Sequence, residues 1–129
     1  MLSRLDERAV QRISGPAWRP IRGVFLEISD HLLAVSPEAI ARLTTIYVKY
    51  LPSPSSSGVY AVVWLKTSKR IVVGLALPDD VDAPLLDLPP KGMTYKGLTK
   101  YFSLTADDLV PKELPTWAKI AHDVVVRCD

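Results

Sequence analysis

Basic and aromatic side chains alternate between residues 91 and 101, which gives the sequence its clearest pattern for binding chemistry. Lysine ammonium groups attract phosphates and tyrosine rings stack on nucleobases, so such a pattern suits a nucleic-acid contact. A second interpretation also stands, in which the lysines stay in water and the tyrosines are half-buried at a sheet edge. This lysine–tyrosine group consists of Lys91, Tyr95, Lys96, Lys100 and Tyr101.

Trp64 adds a further aromatic ring and supports a different hypothesis. Together with Tyr95 and Tyr101 it would line a pocket between a sheet and the loop at residues 78–97. Such a pocket would make the chain a small-molecule binder or a small enzyme. A homodimer formed through an exposed sheet face is the third hypothesis.

Residues that bind metals are present, but their spacing matches no metal-binding motif. The two histidines, His31 and His122, fall on different predicted helices, and Cys128 is the only cysteine. Four nearby carboxylates resemble a cation loop in composition, yet they lack the glycine and closing glutamate of an EF-hand. The sequence therefore predicts no metal site and no cofactor. These carboxylates are Asp79, Asp80, Asp82 and Asp87.

Catalytic motifs are also missing from the sequence. It contains no GxSxG elbow, no GxxxxGK[ST] loop and no GxGxxG segment after a strand. A metal-dependent nuclease core needs a carboxylate two residues before a lysine on a central strand. Trp64 occupies that position before Lys66. The sequence therefore favours a non-catalytic protein.

A row of arginines marks the first predicted helix. Arg4, Arg8 and Arg12 are four residues apart and share one face of a helix over residues 2–13. This row is either a solvated face or a contact for phosphate or for an acidic partner.

An apolar segment from Val59 to Leu77 organises the chain. Valine, isoleucine and aromatic residues dominate it, and these residue types favour strands over helices. The basic stretch at residues 66–70, with sequence KTSKR, interrupts it and predicts a hairpin turn in which Trp64 faces Val72. Both strands are apolar on both faces, so both faces should be covered. The predicted core residues are Val63, Leu65, Ile71, Val73 and Leu75.

The remaining pattern predicts an α+β fold, a four-stranded antiparallel β-meander packed against N-terminal helices and a C-terminal helix. The serine- and proline-rich stretch at residues 52–58 is predicted to be a hairpin loop. Four prolines predict an irregular loop at residues 78–97. The residues after strand four, Thr105 to Asp108, resemble a capping box that opens a turn. Helices are predicted at residues 2–13, 21–34, 37–43 and 116–127, and strands at 45–51, 59–66, 70–77 and 98–104.

Length and composition limit the protein classes. The 129 residues, 48 % hydrophobic and 23 % charged, suit one globular domain over residues 1–129. The formal charge of +2 does not by itself indicate a polyanion partner. The first fifteen residues lack the apolar core of a signal peptide, and no segment is apolar enough to span a membrane. We therefore expect a soluble, cytoplasmic protein without a membrane partner.

Five segments carry a family resemblance: YVKY at 47–50, YAVV at 60–63, KRIVVGL at 69–75, KYFSLTADDL at 100–109 and AKIAH at 118–122. Together they resemble the family called domain of unknown function 5655, some members of which are described as predicted transport proteins. The similarity extends from about Ile21 to Val126. Many members carry a Gly-His-Trp-Gly-like segment in the long loop, where this chain has KGMTYKG at residues 91–97. The resemblance implies an accessory binding role without an established reaction.

The leading functional hypothesis is therefore a non-catalytic binding module. A partner protein or nucleic acid would engage the loop at residues 78–97 and the lysine–tyrosine group.

Overall fold

A computed structural model describes residues 5–78, 80–81, 93 and 95–128 of the protein. These residues form three α-helices, one short 3-10 helix and five strands. The helices are α1 (Glu7–Arg12), α2 (Arg19–Leu33) and α3 (Leu114–Cys128), and the 3-10 helix is Pro16–Trp18. The strands are β1 (Ile40–Thr44), β2 (Tyr47–Leu51), β3 (Ala61–Trp64), β4 (Arg70–Leu75) and β5 (Lys100–Thr105).

The five strands form one antiparallel sheet in the order β1-β2-β3-β4-β5. The predicted α+β class and the meander are therefore confirmed, although the sheet has five strands and not four. The central hairpin has the predicted register, because Trp64 pairs with Val72. All five predicted core residues of this hairpin are buried. The apolar pattern of β3 and β4 thus determines the centre of the fold.

The prediction of a helix at residues 37–43 is wrong, since Ile40–Thr44 forms the edge strand β1. The capping chemistry exists locally, because Ser36 Oγ accepts a hydrogen bond from the Glu38 N–H at 3.3 Å. It supports only one turn, after which Ile40 pairs with Leu51. Strand pairing therefore overrides the local helix signal.

The other predicted elements exist with shifted ends. Helix α1 spans Glu7–Arg12 among the described residues, α2 begins at Arg19, and α3 begins at Leu114. Strand β2 begins at Tyr47 because Thr45 and Ile46 form the tight turn from β1, with Thr45 at φ 47°. Strands β3, β4 and β5 are also shorter than, or displaced from, the predicted ranges.

Helices α2 and α3 pack together and cover one face of the sheet. The Tyr50 hydroxyl donates to Ser29 Oγ of α2 at 3.0 Å. The Phe102 ring lies 6.2 Å from the indole of Trp117 in α3. These contacts join both helices to β2 and β5. Burial inside this layer raises the pKa of Tyr50, which therefore stays neutral and acts as a hydrogen-bond donor.

Gly74 marks the opposite face of the sheet. Because it has no side chain, neighbouring side chains pack directly against its backbone. A Cβ atom at this position would lie 2.8 Å from Leu98 Cδ1 and 2.8 Å from Tyr101 Cε2. Tyr101 pairs with Gly74 across β4 and β5, so its ring lies directly over the glycine. Leu98 and Met93, both buried, come from the segment that precedes β5. Leu98 therefore contributes to covering the second face.

None of the helices in the described ranges is long and apolar enough to cross a membrane.

Candidate functional site

The residues predicted to form a binding group have very different exposures. Trp64 and Tyr101 are buried, with exposed fractions of 2 % and 3 %. Tyr95 is half-buried and Lys96 is exposed. Lys91 lies outside the described residues. Of the described aromatic members, Tyr95 alone has substantial exposed surface.

The aromatic members form one connected cluster in which Tyr47 also takes part. The Trp64 ring lies 6.0 Å from Tyr101 and 6.1 Å from Tyr47, and Tyr47 meets Tyr95 edge-on at 5.8 Å. Burial raises the pKa of both Tyr95 and Tyr101. The Tyr101 hydroxyl donates to the Leu98 carbonyl at 3.2 Å. In this arrangement Trp64 and Tyr101 pack against neighbouring side chains and offer little surface to a ligand.

Lys100 is separated from this cluster by the sheet itself. Neighbouring residues of a strand point to opposite faces. Tyr101 lies over Gly74 on one face, whereas Lys100 shares the other face with Phe102, which contacts Trp117. The structure thus brings Trp64, Tyr95 and Tyr101 together but places Lys100 on the helix-covered side.

The histidines pair with carboxylates of their own helices. His31 Nε2 lies 3.9 Å from Glu27 Oε2, and His122 Nδ1 lies 3.1 Å from Asp123 Oδ1. Among the residues that the structure describes, no three potential metal ligands come together. The side chain of Cys128 and the carboxylates Asp79, Asp82 and Asp87 lie outside the described part, and Asp80 is exposed.

The arginine row of the first helix bonds to backbone carbonyls of the sheet. Arg8 Nη2 donates to the Leu43 carbonyl at 2.9 Å. Arg12 donates twice to the Leu65 carbonyl, from Nε at 3.0 Å and from Nη2 at 2.7 Å. Arg4 lies outside the described residues. The row therefore attaches α1 to the sheet, and this attachment also fixes the position of the Arg12 charge.

The turn between β3 and β4 begins beside Arg12 and carries three exposed cations. Lys66 directly follows Leu65, whose carbonyl Arg12 holds, and Lys69 and Arg70 complete the turn. Within the described ranges Lys66, Lys69 and Arg70 form no ion pair. We call this surface the basic end of the sheet, defined by Arg12, Lys66, Lys69 and Arg70. Its four cations come from two separate parts of the sequence.

Acidic residues bound the basic end on the side of β5. Arg70 pairs with Thr105, and Asp107 and Asp108 follow that residue. The Asp108 carboxylate accepts hydrogen bonds from the N–H of Thr105 at 2.7 Å and from its hydroxyl at 3.1 Å. These bonds confirm the predicted capping turn. They also hold this carboxylate against its own turn.

Asp6 fixes the start of α1 and so helps to position Arg12. Its carboxylate accepts a hydrogen bond from the Arg8 N–H at 2.9 Å as the helix N-cap, and another from the Leu43 N–H at 3.0 Å. Burial alone would raise the pKa of Asp6, but these hydrogen bonds prevail and lower it. Its stabilising effect is therefore present above the unfolded-state pKa of about 3.9 and is lost as pH falls through the folded-state pKa.

We expect Asp6→Ala to cost about 1 kcal/mol of stability near pH 7, because it removes an N-cap acceptor and a bond to β1. The difference from the unmodified protein should begin to shrink below about pH 4, where the carboxyl is protonated in the unfolded chain, and should be smallest once it is also protonated in the folded protein. Urea unfolding at both pH values measures this effect, and Glu7→Ala in the same turn is the control. A cost that does not change with pH would contradict this role.

Comparison of the chain with protein-family models, with curated proteins and with solved structures finds no match. The residues that form the basic end must therefore be interpreted from their own geometry. In the sequence, the cations at residues 66–70 indicated only a hairpin turn. Three cations within five residues were the one sign that this turn could also bind an anion. Their proximity to Arg12 depends on how α1 packs and is not visible in the spacing.

Proposed function

We propose that the protein is a non-catalytic binding module that holds nucleic acid through the basic end of the sheet. The observation that carries this proposal is the grouping of three exposed turn cations, free of ion pairs within the described part of the chain, beside a fourth that is fixed in place. Cations held close together can neutralise successive phosphates of one backbone. The proposal agrees with the accessory binding role implied by the resemblance to the domain of unknown function 5655 family, and membership of that family is itself proposed.

The basic end is stronger support for this function than the lysine–tyrosine group. In that group Tyr101 is buried, and Lys100 is on the other face of the sheet. Lys96 and Tyr95 keep exposed surface and form a second candidate contact. The cations of the basic end would contact the phosphate backbone, and such contacts do not distinguish one base sequence from another.

Binding should weaken steeply as salt rises, because each phosphate contact releases counterions. We expect the variant K66Q/K69Q/R70Q to lose most of its affinity for a fluorescent oligonucleotide. It should also lower the slope of log affinity against log salt by about two. The matched control R42Q/K119Q/R127Q removes three positive charges elsewhere and should retain the slope. Fluorescence anisotropy over a salt series measures both variants.

Three results would overturn the assignment. Equal losses in the two triple variants would show that net charge alone matters. A loss confined to Lys96→Ala would move the contact to the lysine–tyrosine group. Equally tight binding of polyglutamate would replace nucleic acid with an acidic partner protein.

A further inference from the structure

Two kinds of contact fix the guanidinium of Arg12, which we call the platform. Two of its nitrogens, Nε and Nη2, donate to the single carbonyl of Leu65. Its Cζ atom lies over the indole of Trp18, 5.6 Å from the ring centroid. Two bonds to one acceptor fix the plane of the group, and the indole adds a cation–π contact.

The chain around this pair is fixed as well. Arg22 Nε donates to the Ile13 carbonyl at 2.7 Å, and Arg22 Nη2 donates to the Gly15 carbonyl at 3.1 Å. These bonds secure the connection between α1 and the 3-10 helix that contains Trp18. The Arg12–Trp18 pair is therefore preorganised, so little ordering cost remains when a ligand binds.

Arg12 retains binding capacity after these contacts. Its side chain is half-buried, and Nη1 forms no hydrogen bond to other residues in the described ranges. A guanidinium plane stacks on a nucleobase, and its free N–H groups can bind an adjacent phosphate. Lys66 directly follows the residue whose carbonyl holds Arg12, so a backbone bound at Arg12 would next meet the cations of the turn.

We infer that the preferred ligand is single-stranded nucleic acid, with one unpaired base stacked on Arg12 and the backbone held by the turn cations. This inference rests on the proposed function and narrows its ligand class. Bases in a duplex are already stacked on one another and cannot reach the platform. A single strand offers both an open base and a phosphate chain.

The test compares a single strand of about 15 nucleotides with the duplex of the same sequence, at one salt concentration. We expect the unmodified protein to bind the single strand roughly ten-fold more tightly. Arg12→Lys keeps the charge but removes the plane, so its affinity for the single strand should fall more than its affinity for the duplex, and most of the preference should be lost. Arg42→Lys, the same change at an exposed arginine outside the basic end, is the control and should retain the preference.

Trp18→Phe is a second test of the same platform, because a phenyl ring forms a weaker cation–π contact with the guanidinium than an indole does. A reduced preference is expected, and this variant decides the outcome if Arg12→Lys unfolds below the assay temperature. Equal binding of single strand and duplex, with both lost in K66Q/K69Q/R70Q, would overturn this inference and keep the proposed function. Preference unchanged in the deciding variant would also overturn it. Failure to bind either ligand would overturn both.

Discussion

Val73→Asp should unfold the protein. Val73 is fully buried on the central strand β4, where it pairs with Val63 on one side and Phe102 on the other. The substitution removes apolar burial worth roughly 1.5–3 kcal/mol and places a carboxylate where water cannot solvate it. We expect a total cost above about 4 kcal/mol, a large part of the 5–15 kcal/mol typical of a domain.

Thermal unfolding followed by circular dichroism measures this effect. Val126→Asp is the matched control, because the same change is made where the side chain is 46 % exposed. The control should keep nearly the original melting temperature. An unchanged melting temperature in Val73→Asp would show that the β3–β4 hairpin is not the centre of the core.

Trp64→Ala should have the second largest effect. The indole is buried and contacts the rings of Tyr47 and Tyr101 at about 6 Å. Truncating a buried tryptophan leaves a large cavity and typically costs about 3–5 kcal/mol. We expect the melting temperature to fall by more than about 10 °C. The loss would come from the aromatic cluster that covers the second face of the sheet.

Trp64→Ala also distinguishes two roles of the aromatic cluster, which either packs as part of the core or lines a ligand pocket. Leu109→Ala is the control, because it truncates a large apolar side chain that is 90 % exposed, and it should leave stability nearly unchanged. If Trp64 walled an open pocket, its removal would affect ligand binding more than stability. A Trp64→Ala protein with an unchanged melting temperature would therefore favour the small-molecule hypothesis over a packed aromatic cluster.

The central hairpin could be predicted because two signals agree there. The apolar residues of β3 and β4 require burial on both faces, and the basic stretch between them can lie only in a solvated turn. Together they set the register that pairs Trp64 with Val72. The edge strand β1 could not be predicted, because Ser36 and Pro37 begin a helix-like turn. Thr45 then takes a positive φ without the glycine or asparagine that signals such a turn.

The candidate site was harder to predict because it depends on contacts between distant residues. Lys100 and Tyr101 are adjacent in sequence, yet strand alternation places them on opposite faces of the sheet. Arg12 and Lys66 are far apart in sequence, yet Arg12 bonds to the carbonyl of Leu65, the residue directly before Lys66. Local spacing therefore grouped residues that the fold separates, and it gave no sign of the pair that the fold brings together.

Nuclear magnetic resonance mapping tests nucleic-acid binding at the basic end most directly. The nitrogen-15-labelled protein is titrated with a single-stranded oligonucleotide, and the amide shifts of each residue are followed. Binding at the basic end predicts the largest changes at residues 66–70 and around Arg12 and Trp18, with small changes at residues 95–100. Shifts confined to residues 95–100, or no shifts at low salt, would contradict it.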